Sequence, residues 1–97
     1  MTARWTSNAL RDLEQLYDYV AHVNTAFDNN TAATRTVDSI LAGVDALERH
    51  PLAGRQGRVK GTRELIFSPF VVAYRLKRPA IDVLAVFHGS RRWPNAF

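Results

Sequence analysis

The apolar positions of this 97-residue chain follow two periodicities, and the change between them divides it. Leu10, Leu13, Tyr17 and Val20 recur at steps of three and four, with Leu16 and Ala21 widening the stripe. That spacing puts them on one face of a helix. Arg11, Asp12, Glu14, Gln15 and Asp18 fall mostly on the other face. An amphipathic helix is therefore predicted over residues 8–23, with Ser7 or Asn8 able to cap its free N–H groups. Arg4-Trp5-Thr6 ahead of it reads as a short edge strand. The pattern breaks from Asn24 to Asn30 and resumes as Ala33, Val37, Ile40, Leu41, Val44 and Leu47, a second helical stripe capped by Asn29, Asn30 or Thr31. Gly43 weakens this helix by about 1 kcal/mol relative to alanine and is expected to let it approach the first helix closely. His50-Pro51 ends it, because the residue before a proline is pushed out of the helical region. The short polar connection predicts an antiparallel hairpin.

After Pro51 the helical period disappears. Pro51 to Arg58 reads as a loop with two glycines and two arginines, Val59 to Phe67 as a strand, and Ser68-Pro69 as a tight turn. Phe70 to Leu76 and Ile81 to Phe87 are rich in β-branched and aromatic residues, with Pro79 in the break between them. They read as neighbouring strands of an antiparallel sheet. Alternation puts Arg63, Leu65 and Phe67 on one side, with Glu64 and Ile66 on the other. Arg63 beside Glu64 is expected to be a pair along a strand edge, and Arg75 to reach the edge of the core or a groove that holds a protein partner. Two helices cannot bury both their stripes against each other, so the sheet must cover them. The expected class is α+β, with a short N-terminal strand and an antiparallel helical hairpin packed on a twisted antiparallel sheet, β-α-α-β-β-β, as one domain over residues 1–97.

Composition narrows the chemistry. The absence of cysteine excludes a disulfide framework and a thiolate metal site. No His-Glu-x-x-His or other ligand cluster is present, so neither a metal nor another cofactor is expected. No apolar run approaches the roughly 20 residues of a membrane span, and Met1 to Trp5 is not a signal peptide, so a cytoplasmic protein without a membrane partner is expected. The charge of +4 is unevenly placed: residues 1–54 hold four Lys/Arg against seven Asp/Glu, and residues 55–97 hold nine against two. A basic back half suggests a face that meets an anion, whether RNA, DNA or an acidic protein segment.

Several weak motifs then occur in a specific order. They are Trp5 before the first helix, Leu47-x-x-x-Pro51-x-x-Gly54-Arg55, Gly61-Thr62-Arg63-Glu64-Leu65, Pro69-Phe70-Val71-Val72-x-Tyr74-Arg75 and His88-Gly89-x-Arg91-x-Trp93-Pro94. Together, over nearly the whole chain, they resemble the RelE/ParE toxins of bacterial type II toxin–antitoxin modules. The resemblance implies a helical hairpin on a twisted sheet and growth arrest by the free toxin. It also implies a hetero-oligomer with an antitoxin encoded beside it, whose C-terminal segment wraps the toxin.

The family divides in mechanism. RelE-like members cut mRNA on the ribosome, whereas ParE-like members poison DNA gyrase. Cleavage through the 2′-OH needs a base, cations for the phosphorane and an acid for the leaving oxygen. Carried over from the RelE-type arrangement, the two lysine positions fall on Thr62 and Glu64, and the following arginine position on Val71. Arg91 matches the next arginine, and the terminal tyrosine position falls on Phe97, which has no hydroxyl. That argues against a RelE-type centre. A nuclease of another branch could use His88 as acid/base, with Arg63, Arg75 and Arg91 as phosphate clamps. The ParE-like reading instead expects a binding inhibitor that meets gyrase through Arg63, Arg75, Arg91, Arg92 and Trp93, an aromatic favoured at interface centres. A third reading is an inactive member that only binds antitoxin.

Overall fold

The computed structural model describes residues 1–23 and 29–90. In chain order the elements are β1 (Thr2–Trp5), α1 (Ser7–Val23), α2 (Asn29–Leu47), β2 (Arg55–Gln56), β3 (Arg63–Phe67), β4 (Phe70–Lys77) and β5 (Ala80–His88). They form a five-stranded sheet of order β1-β5-β4-β3-β2. β2, β3, β4 and β5 pair antiparallel, the last three through two-residue turns, while β1 joins β5 in parallel. The expected β-α-α-β-β-β order is therefore present, on a mixed sheet. One further short strand lies inside the stretch expected to be loop.

The helices cover one face of the sheet. Ala9, Leu16 and Val20 of α1 meet Ala33, Ile40 and Val44 of α2 over Phe70, Val72, Val83 and Val86, all buried. Leu47, Tyr74 and Ile81 extend this core toward the other end of the sheet. On the opposite face, Val71, Ala73, Ala85 and Phe87 make a second buried cluster. Alternation along β5 is preserved across both faces by a bulge: Tyr74 pairs with Val83 and Ala73 with Ala85, leaving Leu84 as the extra residue.

Several local expectations change. The first helix is capped by Thr6, not Ser7 or Asn8. The Thr6 hydroxyl accepts the Ala9 N–H at 3.1 Å and donates to the Val83 carbonyl at 2.8 Å, tying the cap to β5. The buried stripe accordingly centres on Ala9, Leu13, Leu16 and Val20, and Leu10 is 52% exposed. On α2, Leu41 likewise turns outward. Residues 57–62 are not strand, because the chain folds back on itself there. The Gly57 N–H donates to Thr62 O at 2.8 Å, the Thr62 hydroxyl donates to Val59 O at 2.6 Å, and Gly61 takes a φ of 85°. Gly43 serves β3 and not α1: a methyl group there would overlap the Phe67 ring.

Side chains of the N-terminal region also close the sheet's edges. β1 pairs only as far as Val83 of β5. Beyond it, Asn8 donates to Leu84 O at 3.1 Å and Asp12 accepts the Val86 N–H at 3.0 Å. On the outer side of β1, Glu48 accepts the Ala3 N–H at 2.7 Å. Each bond satisfies a strand group that would otherwise template an unwanted pairing.

The loop after α2 is held from both faces of β3. On the helix side, the buried Tyr74 hydroxyl donates to Pro51 O and accepts the Gly54 N–H, both at 2.9 Å. Arg63 donates to Leu52 O at 3.3 Å and Gly54 O at 2.7 Å. A Cβ at Gly54 would lie 2.7 Å from the Tyr74 oxygen and 2.8 Å from Glu64 O, so only glycine allows this approach. On the other face, the buried Glu64 carboxylate accepts from Arg55 Nη2 at 3.2 Å and from the Arg58 backbone N–H at 3.0 Å, with Arg58 Nε at 3.6 Å. Arg63 and Glu64 thus do not pair with each other. Each points to its own side of the sheet and binds the loop.

Two predictions follow from this packing. Gly43→Ala should lower stability by about 1–3 kcal/mol despite the better helix former, because it overpacks Phe67. Urea denaturation checks this, and adding Phe67→Leu should recover most of the loss. Burial raises the Tyr74 pKa above its ordinary value of about 10, offset in part by the Gly54 hydrogen bond and the Arg63 charge. Tyr74→Phe removes both loop bonds and should cost about 1–3 kcal/mol near neutral pH. The unfolded phenol ionises first as pH rises, so the stability from neutral Tyr74 is complete below pH 10 and is lost through the folded pKa. The difference between the two proteins should therefore narrow above pH 10 in denaturation curves.

Candidate functional site

The strands decide which cations share a surface. On β1, β4 and β5, residues next to core positions point away from the helices, which places Arg4, Arg75, Lys77 and Asp82 on the helix-free face. Arg55 lies across from Glu64 on the same face, and Arg58 lies above it. Asp82 is engaged by Arg4, whose Nε and Nη2 stand 3.0 and 2.9 Å from Oδ1. Arg75, opposite Asp82 in the β4–β5 register, is exposed and no hydrogen bond or ion pair holds it among the described residues. Arg58 is fully employed: its guanidinium stands 5.4 Å from the Phe87 ring centre and donates to Gly89 O at 3.2 Å. Among the described residues, this face therefore carries five cations against two carboxylates, both of them already neutralised by arginine.

His88 closes β5 on the helix side. Its ring meets Phe70 edge-on at 5.9 Å. Nδ1 accepts the Ser90 backbone N–H at 3.2 Å, so Ser90 Oγ, 2.7 Å from the same nitrogen, donates to it as well. The neutral ring then carries its proton on Nε2. His88 pairs with Phe70, while Arg63 pairs with Tyr74, four residues further along β4. At the strand rise this separates them by about 13 Å. Arg75 is on the opposite face. The fold does not bring His88, Arg63 and Arg75 to one point, whereas acid–base and phosphate-clamping groups must share one.

The positions carried over from the RelE-type arrangement have other employment. Thr62 is buried with its hydroxyl on Val59 O, Glu64 is buried among loop donors, and Val71 lies in the cluster of the helix-free face. Arg91, Arg92, Trp93 and Phe97 lie outside the described residues. Among the described residues, no group of histidine, aspartate and glutamate could hold a metal ion, and no helix is long and apolar enough to cross a membrane.

The sequence reading passed over Arg55, Arg58 and Lys60 as functional candidates and took Tyr74 only as part of a motif. The signal for the arginines was present, since both flank Gly57 in a polar loop, but their carboxylate partner lies 9 and 6 residues downstream on β3. Nothing local announces such a pairing.

Comparison with known proteins agrees with this architecture. Residues 3–93 match the family model described as ParE toxin of type II toxin-antitoxin system, parDE. A protein of Sinorhizobium fredii (strain NBRC 101917 / NGR234) named "Putative toxin Y4kP" is 40% identical over 94 residues, covering 95% of this chain and 92% of that protein. The solved chromosomal ParDE TA system from P. aeruginosa contains a chain that superposes with a TM-score of 0.78 at 28% identity, over 91% of this chain and 95% of that one. A chain of the toxin–antitoxin complex RelBE2 from Mycobacterium tuberculosis shares the fold at a TM-score of 0.65 and 24% identity, over 90% and 95% of the two chains. This chain belongs to the ParE toxin family of type II toxin–antitoxin systems.

Proposed function

We propose that this toxin acts in the ParE manner, as a non-enzymatic inhibitor of DNA gyrase that traps the cleaved-DNA complex, and that a cognate antitoxin neutralises it in a hetero-oligomer. The observation that carries the reading is the employment of the candidate nuclease positions. Thr62, Glu64 and Val71 stand where a RelE-type centre needs cations, and all three are buried in structural contacts. The helix-free face supports a binding role. Arg75 offers an uncommitted guanidinium there, and Arg91, Arg92 and Trp93 follow β5 in the chain. In this reading Arg75, Arg91, Arg92 and Trp93 contact gyrase, with Arg63 as a further contact through the guanidinium N–H groups that the loop does not use.

The alternative, a ribosome-dependent mRNA endonuclease, draws its support from the single Nε2–H of His88. Pulsed expression separates the two. Incorporation of labelled thymidine should fall before that of labelled amino acid, with an SOS response. His88→Ala should leave the arrest intact, because its ring serves a local turn. Arg75→Glu should weaken the arrest at least severalfold, and removal of residues 91–97 should abolish it. Immediate loss of translation that depends on His88 would overturn the proposal in favour of mRNA cleavage, and no effect on either label would favour an inactive member.

A further inference from the structure

At the sheet end opposite His88, the folded-back segment 56–62 and Leu76 of β4 enclose an open cleft of about 280 Å³. Lys60 and Arg63 line it together with Gln56 and Thr62, while Val59 and Leu76 supply an apolar wall, and no carboxylate is among the lining residues. Lys60 is exposed and forms no ion pair among the described residues. Arg63 is half-buried and fixed by Leu52 O and Gly54 O, both bonded through Nη1, which leaves Nε and Nη2 available. Gly61 forms the rim in a left-handed conformation, and the space beside it is open, with no atom within 4 Å of where a Cβ would stand. The cleft is thus a small cationic site whose arginine is positioned in advance by the scaffold, which lowers the ordering cost of binding an anion.

We propose that this cleft receives an acidic side chain from the extended part of the antitoxin, with a neighbouring apolar side chain of that segment against Val59 and Leu76. The inference rests on the antitoxin-partner reading and names the place and the chemistry. A carboxylate matches two cations with free donors. The apolar wall distinguishes a peptide from a bare anion. Nucleic acid fits less well. The lining has no aromatic ring on which a base could stack.

The test uses the purified full chain and backbone amide NMR, with a short blocked peptide alternating glutamate and leucine as probe. The amides of Gly57, Lys60, Gly61 and Thr62 should shift and saturate. The same peptide with glutamine for glutamate should have no effect. Lys60→Glu should weaken binding by about tenfold, whereas Lys77→Glu, the same charge change on the helix-free face, should leave it unchanged. Shifts centred elsewhere, equal weakening by both variants, or no saturation at millimolar peptide would overturn the assignment. So would equal or tighter saturation of these amides by inorganic phosphate or oligothymidylate. Co-purification with the antitoxin keeps the two levels apart. A stable complex whose cleft amides stay unperturbed defeats the cleft alone, and the lack of any complex defeats the partner reading beneath it.

Discussion

The loop-bearing half of this molecule depends on one buried hydroxyl. Tyr74 sits at the centre of β4, inaccessible to solvent, and bonds two backbone groups of the loop that leaves α2. A phenol is suited to this position because it fills the core like phenylalanine and carries a donor and an acceptor at its tip. Its neighbour across the register, Arg63, repeats the action on Leu52 and Gly54. Once the loop lies against β3, Arg55 and Arg58 reach Glu64 from the other face, and Arg58 extends over Phe87. The fold-back that forms the cationic cleft continues from there. Without the Tyr74 hydroxyl the Pro51 carbonyl and the Gly54 N–H would lose their partner, a cost larger than the net worth of the bonds themselves.

Polar side chains do similar work at the other end of the sheet. Thr6 caps α1 and holds β5 in one gesture, and Asn8 and Asp12 satisfy the strand where β1 no longer reaches. The first helix is therefore placed by hydrogen bonds as well as by its apolar stripe. This explains why its buried face turns from Leu10 toward Ala9, whose small side chain lets the helix start close to the sheet. The two carboxylates of the basic half, Glu64 and Asp82, are both engaged by arginine.

Periodicity made the elements legible: both helices, the strands β3 to β5, their turns and the α+β order could all be read from apolar spacing. The mixed sheet could not, since β1 meets β5 parallel across 78 residues of sequence and no local pattern states a direction. Val59 to Phe67 looked extended throughout because Val59 and Lys60 fit a strand as well as a turn. The positive φ of Gly61 decides otherwise. Among candidate site residues, the sequence could list arginines but not say which were spent. Arg63, Arg58 and Arg4 have protein partners, whereas Arg75 and Lys60 have none among the described residues. That distinction exists only once carboxylates and carbonyls distant in sequence have been brought alongside.

We propose that this ParE-family toxin acts by binding. The most direct measurement is a reconstituted supercoiling reaction with purified toxin, DNA gyrase, ATP and relaxed plasmid, run beside a ribosome-bound mRNA cleavage assay. The account predicts loss of supercoiling with linear DNA trapped on gyrase, relief by excess antitoxin, and intact mRNA. Unimpaired supercoiling together with cleavage of the message on the ribosome would contradict it.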